Sequence, residues 1–404
     1  MMATLGNFVT VAFGSVLSTL LGPTGTSHIP DTWTYLLPGT FISDLHGTFL
    51  ADTSTSDASI NRRLGSAASG VITCYQPAEL SFCHRDLVAE VLLDLPGSGA
   101  FYEAGIYVPF LNEVWFTGNY ARYPSPSQAT AYNLQDGTVR NITQVPYGAG
   151  GTYFDGLVYM GNIPPTPGTT TIDPSTLETT TIFNSYFGLP FSLVDDIAWA
   201  THPTTNKSYL FFTTFFTALE PDGPTVPITS PVLLPNGVWR WDPDEKILLP
   251  IISRLDIVVP NGITVSPDHK TLYITDSLGT GAGGVGEGNQ GYAPTAGPSI
   301  YAYDLNDAML PVNRRQFGLA RTGYPDGVHV DDAGRVWTAE GEGIVIRSAA
   351  GKVLAVFNSA AFGVAPGHGG QISNFALAGD MLVVGGGDRL YGVRLGETVA
   401  TGCS

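Results

Sequence analysis

The sequence predicts an all-β fold, a six-bladed β-propeller, and three observations predict it. The first is composition: only 13% of the 404 residues are charged, while 49 are glycine and 29 proline. That balance fits short strands joined by many turns, not long solvent-facing helices. The second is a loose repeat of a β-rich run, a polar turn and a second β-rich run, which starts near residues 103, 151, 196, 261, 326 and 374. Neighbouring starts lie 45 to 65 residues apart, the spacing of four-stranded blades with loops inserted in the longer intervals. The third is that Asn-Gly, Asp-Gly and Pro-Asp pairs bound these runs, as hairpins require.

The elements follow in chain order. Phe8 to Leu21 is an apolar run followed by Gly22 and Pro23, so residues 1–26 are expected to be a secretory signal peptide and the protein to be secreted. Residues 27–404 are expected to form a single propeller domain, with 27–99 as a lead-in. Residues 28–70 show no periodicity and are expected to cross the bottom of the ring, and the segment Asp86-LVAEVLLDLP is expected to add a strand to the first or last blade. From about residue 100 the blades begin: Glu103-AGIYVPFLNEVWFTGN, Gly151-TYFDGLVYMGN, Asp196-IAWATHPTTNKSYLFFTT, Asn261-GITVSPDHKTLYITDS, Asp326-GVHVDDAGRVWTAE and Asn374-FALAGDMLVVGGG. The segments Arg240-WDPDEKILLPI and Ile300-YAYDLNDAMLPV fit outer hairpins whose aspartates form the turns. Gly281 to Gly286 matches G-x-G-x-x-G, but the following Glu287-GNQGYAPTAGP cannot open the helix that a dinucleotide site needs, so the stretch is expected to be a loop after strand Thr271 to Asp276.

Charge narrows the partners. A formal charge of −17 repels nucleic acid and anionic membrane surfaces and favours metal ions and neutral or cationic small molecules. No apolar stretch reaches the length of a membrane span. The expected partner is a small-molecule substrate and the expected state a monomer. The sequons at Asn141 and Asn206 agree with secretion. Of three cysteines, Cys403 could join Cys74 or Cys83 where the ring closes, or Cys74 and Cys83 could pair locally.

The chemistry lies where the repeats begin. Glu103, Asp195 or Asp196, Asn261 and Asp326 stand at equivalent positions, and in a propeller such positions converge on the central channel. Carboxylates with an amide make a hard-oxygen site suited to a divalent cation, Ca²⁺ in particular, better than to zinc. No nucleophile elbow G-x-S-x-G and no H-E-x-x-H occurs. His329, three residues after Asp326, is expected to face away from the channel. His368, in a glycine-rich loop, and Asn374, opening the last repeat, are expected to border the substrate.

The blade motifs at Glu103, Asn261 and Asp326 resemble those of the SMP-30/gluconolactonase/LRE-like family, in particular its fungal lactonohydrolase-like branch, over roughly residues 100–395. The resemblance implies one catalytic divalent metal, usually calcium, with Glu103, Asp195, Asn261 and Asp326 as ligands and Asp326 as general base. It implies hydrolysis of a lactone or related ester. Two departures stand out: Leu193 falls where sugar-lactone members carry an arginine, and the aromatic run Phe211 to Phe216 replaces an aspartate. Leu193 and Phe211 are therefore expected to contact a hydrophobic natural-product substrate. The same departures favour an alternative, a biosynthetic cyclase or cycloaddition enzyme that reuses the propeller without hydrolysis; a non-catalytic binding propeller is a third reading.

Overall fold

The computed structural model describes residues 21–44, 47–118, 128–215, 234–277, 298–364 and 372–401. Among the described residues six sheets, antiparallel except for one edge pair, stand around an axis, and each runs outward from an inner strand. The inner strands are Glu103–Val108, Gly148–Phe154, Ile197–Thr201, Pro260–Val265, Val328–Val330 and Phe375–Ala378, which match the six repeat starts. We number the blades 1 to 6 in that order. Both predicted outer hairpins form, Gly237–Asp242 with Ile247–Ser253 and Ser299–Leu305 with Pro311–Leu319. In the first, Asp242 Oδ1 accepts from the amides of Asp244 and Glu245, the turn role expected of it.

Closure uses the N-terminal part of the chain. Val88–Asp94 pairs antiparallel with Arg389–Arg394, which makes it the fourth strand of blade 6, and Leu21–Thr24 follows at the edge. Ile72–Cys74 pairs with Val353–Asn358 in blade 5 and is itself paired, in parallel, with Thr26–His28. The lead-in does more than run under the ring: a helix, Ala58–Ala68, begins at Asp57, whose side chain caps the Ser59 amide. Its apolar stripe of Ile60, Leu64 and Ala67 packs with Ile29 and Leu50 on Val345 and Val356 of blade 5. This replaces the expected extended crossing. Glu342 ties the segment down, accepting from the Phe49 amide and from Arg321. Cys74 and Cys83 form the local disulfide; Cys403 lies outside the described residues.

The core lies between blades. Blades 1 and 2 meet through Ile106, Trp115, Val158 and Met160. Blades 2 and 3 meet through Phe183, Leu210, Phe212 and Trp239, and blades 3 and 4 through Ala198, Phe211, Ile263 and Ile274. Tyr273 and Val336 join blades 4 and 5, Trp337 and Leu382 blades 5 and 6, and Val383 and Phe116 close the ring onto blade 1. Each sheet buries both faces, which is why its strands read as continuous apolar runs instead of clean alternation.

Candidate metal centre and central channel

The heads of the inner strands are irregular. Register shifts interrupt pairing between Ala104 and Ile106, Gly148 and Gly151, and Pro260 and Ile263, and Ala104 and Gly105 carry φ of 76° and 75°. Such bulges break the two-residue alternation, so successive side chains can both turn toward the axis. Between blades, one position past the inner pairing, a threonine hydroxyl donates to the neighbouring blade: Thr117 to the Ala149 carbonyl at 2.9 Å, Thr213 to Asn261 at 2.5 Å and Thr275 to Asp326 at 2.8 Å. In blades 2 and 6 the equivalent residues are Gly161 and Gly385, where a Cβ would stand 2.3 Å from the Asp195 carbonyl oxygen and 2.7 Å from that of Phe101. Two of the three hydroxyl bonds end on the backbone of predicted ligands, which sets the height of Asn261 and Asp326 along the axis.

Glu103, Asp195, Asp196, Asn261, Asp326 and Asn374 are all buried. Burial pushes the Glu103 carboxyl well above its usual range, and the charges of Asp326, Asp195 and Asp196 push it further, against a hydrogen bond from Asn374. Asp196 is raised for the same reasons, burial first and then Asp195 and Asp326, while the amides of Gly151 and Ile263 oppose the shift. Burial raises Asp195 to about 7. These carboxylates therefore share one electrostatic neighbourhood at the axis. Among the described residues no three His, Cys, Asp or Glu side chains close into a cage by themselves. The carboxylates of Glu103, Asp195, Asp196 and Asp326 are hard oxygens whose mutual repulsion a divalent cation would relieve, so the residues present fit such an ion.

Asn374 completes the ring. It sits between two glycines that follow the predicted ligands: a Cβ on Gly327 would stand 2.4 Å from its Oδ1, and one on Gly105 would stand 3.1 Å from it. Leu193 packs with Ala149, Ile163, Phe215 and Val259 in an apolar cluster two residues from Asp195. Phe211 is placed elsewhere. Its strand, Ser208–Thr214, is second in blade 3, so Phe211 and Phe212 turn to opposite inter-blade cores and Phe211 is fully enclosed among Ala198, Val238 and Ile274. It cannot touch a substrate in the channel. His368 lies outside the described residues, as does the glycine-rich stretch 278–297.

His329 also departs from expectation. It lines a cavity of about 240 Å³ that runs along the inner strands past Thr152, Asp196, Ile263 and Val265. Asp326 precedes the strand Val328–Val330, so counting residues across that break predicts the wrong face. The ring meets Phe375 edge-on at 4.8 Å, and the Asn374 side chain and Phe375 backbone beside it act to raise its pKa against burial. Burial pushes its pKa down to about 4.

Tyr102 was not singled out by the sequence. Burial, the charge of Glu103 and that of Asp326 raise its hydroxyl to about 12, while Ser373, toward which it points, acts the other way. It is thus a phenol held protonated beside the acidic cluster. Its adjacency to Glu103 was the available signal.

No protein-family model matches the chain. It is 29% identical over 273 residues to lactonohydrolase oryL of Aspergillus oryzae, covering 63% of this chain and 59% of that protein. Lactonohydrolase oryH of the same organism is 27% identical, with 63% and 66% covered, and a gluconolactonase of Zymomonas mobilis is 26% identical, with 55% and 56% covered. The chain therefore spans less than two thirds of the length of these relatives. Among solved structures, a gluconolactonase of Xanthomonas campestris superposes with a TM-score of 0.57 at 20% identity, covering 76% of this chain and 90% of that one. A calcium-binding regucalcin of Agrobacterium tumefaciens superposes at 0.51 and 16%, covering 77% and 96%. In sequence the chain is similar to fungal lactonohydrolases and a bacterial gluconolactonase, and in fold it is a propeller like the gluconolactonase and regucalcin structures.

Proposed function

We propose that this protein is a calcium-dependent hydrolase that opens a lactone or related ester of apolar character. The observation that carries this reading is the convergence of Glu103, Asp195, Asp196 and Asp326 at the axis in a buried, mutually repelling state. Glu103, Asp195, Asn261 and Asp326 are the residues that would hold the ion. When bound, it supplies Lewis-acid polarisation of the substrate carbonyl and charge stabilisation for the oxyanion. Asp326 acts as the base, taking the proton of the attacking water onto its carboxylate. Tyr102 keeps its proton and is a hydrogen-bond donor toward a substrate oxygen. Asn374 borders the site, and the cluster around Leu193 offers an apolar wall in place of a sugar-binding cation. The names of the matched relatives, lactonohydrolases and a gluconolactonase, support the substrate class.

We also infer secretion, with the apolar run before Leu21 as the leader; because Leu21–Thr24 and Thr26–His28 are strands of blades 6 and 5, the leader stops short of the expected residue 26, and the chain from Leu21 on is one domain acting as a monomer. The Cys74–Cys83 disulfide and the exposed Asn141 and Asn206 sequons support an oxidising, glycosylating route.

A panel of apolar and sugar lactones, assayed by proton release with calcium and after chelation, tests the activity. Chelation is expected to abolish turnover, and Asp326→Asn is expected to lower kcat by about 10²–10⁴-fold. Product formation that survives both would instead support the non-hydrolytic cyclase, and saturable binding without product would support a binding propeller.

A further inference from the structure

We propose that blade 2 carries a binding site for a neutral, polyhydroxylated ligand, a saccharide in chemical class, on the face of the ring where the inner strands begin. The inference stands apart from the cation-site reading and uses residues that reading leaves idle.

A cavity of about 620 Å³, within the roughly 300–1,000 Å³ of small-molecule sites, lies at the end of blade 2 where Gly148 pairs with Asn162. Gln144, Asn162, Thr170, Thr179, Thr181 and Asn184 supply most of its polar lining, and no Asp, Glu, Lys, Arg or His borders it. Amides and hydroxyls both donate and accept, so the lining matches groups that do the same, the hydroxyls of a sugar. An anion would find no cationic partner there, a cation no carboxylate, and an apolar ligand would cut these groups off from water.

A bulge builds this surface. Thr170 pairs with Thr181 but Thr169 pairs with Phe183, so Ile182 is an extra residue in the strand Thr179–Phe183. Alternation before the bulge puts Thr179 and Thr181 on the cavity face. Beyond it Phe183 turns into the core shared with blade 3, stacked on Phe212 at 4.7 Å, and Asn184 joins the threonines. An unbroken strand would have put Phe183 on the cavity face instead. Asn162 forms the floor and is only 4% exposed. Its Nδ2 donates to Thr170 Oγ1 at 2.9 Å, while Oδ1 is buried without a hydrogen-bond partner. A buried polar atom left so calls for a partner from outside the chain. Pro146, Pro165 and Pro167 stiffen the rim, which is therefore ordered before a ligand arrives. The floor is also tied to the acidic centre: the Asn162 carbonyl accepts from the Val194 amide at 3.0 Å, and Ile163 packs with Leu193.

The test is titration of the full chain with D-glucose, D-mannose, D-galactose and maltose, followed by ligand-observed NMR and calorimetry, with D-glucuronate as the charged control. At least one neutral sugar is expected to bind with a Kd of about 1 mM or tighter, glucuronate more weakly, and binding is expected to persist in chelator. Thr181→Val removes one hydroxyl at an exposed position, and affinity is expected to fall about tenfold. Thr181→Trp fills the cavity and is expected to abolish binding. Thr180→Val, on the opposite face of the same strand, is expected to stay within about twofold of the parent. Absence of binding by every neutral sugar would overturn the inference, as would equal affinity for Thr181→Trp and the parent. Loss of binding on chelation would also overturn it, by moving the sugar to the acidic centre. A bound sugar that competes with lactone turnover identifies the occupant as a glycosyl arm of the substrate, and one that binds without competing identifies a separate saccharide; the site stands in both cases.

Discussion

At the scale of single residues, the neighbours of a side chain determine whether it serves chemistry or packing. Leu193 and Phe211 were paired by the sequence as substrate contacts, yet one lies in a small apolar cluster beside the carboxylates and the other deep in an inter-blade core. Phe211→Ala is therefore expected to cost about 3–5 kcal/mol of stability, read as a lowered denaturation midpoint, with substrate preference unchanged. Leu193→Ala is expected to cost less stability and to raise KM for apolar lactones by about 10-fold or more, measured by initial rates. If Phe211→Ala altered preference at full stability, its placement in the core would be wrong. Glu103 and Asp195 make a prediction about pH. Their folded pKa values are raised, so the calcium-free fold binds more protons than the unfolded chain above the ordinary carboxylate range of about 4. Stability of the stripped protein should then fall as pH rises from that range to about 7, where Asp195 titrates. Thermal melts in chelator across that window check the sign.

At the scale of elements, the second strand of each blade couples the blades and sets the site. Thr117, Thr213 and Thr275 each reach the next blade's inner strand by one hydroxyl hydrogen bond. Replacing Thr275 by valine keeps the shape but removes the hydroxyl that donates to the Asp326 carbonyl and accepts from the Gly262 amide, so a loss of about 1–3 kcal/mol is expected by chemical denaturation. Because that carbonyl belongs to a predicted ligand, calcium affinity should fall as well, whereas a distant core substitution of equal cost should leave affinity alone. Blades 2 and 6 solve the same close approach with glycine, which has no Cβ to collide with the neighbouring backbone. Elsewhere the elements keep their local signals: the Asp242 turn and the cap at Asp57 form from residues within a few positions of each other.

At the scale of the whole molecule, the ring holds its carboxylates together by closing. Val88–Asp94 joins the last blade and Ile72–Cys74 the fifth, so the N-terminal part of the chain fastens blades made much later. The cost of crowding Glu103, Asp195, Asp196 and Asp326 falls on this closure, and a bound cation would repay it. Calcium at about 100 times its dissociation constant is expected to add about 2.7 kcal/mol, seen as a raised melting temperature that chelator reverses. An unchanged melting temperature in saturating calcium would argue against a site at the axis. The six strand heads, both outer hairpins and the extra strand after Asp86 were legible from the sequence, because repeat phase and turn residues report on hydrogen-bonded neighbours a few residues apart. The shared electrostatic neighbourhood of Glu103, Asp195 and Asp326 was legible for the same reason: equivalent positions of a repeat share a radius. The tertiary structure alone decided between a local and a ring-closing disulfide, turned His329 into the channel, enclosed Phe211 and buried the Tyr102 hydroxyl within reach of the Asp326 charge. Those outcomes depend on bulges that break alternation and on which blade stands next door, and neither is written within the span of residues that a sequence pattern compares.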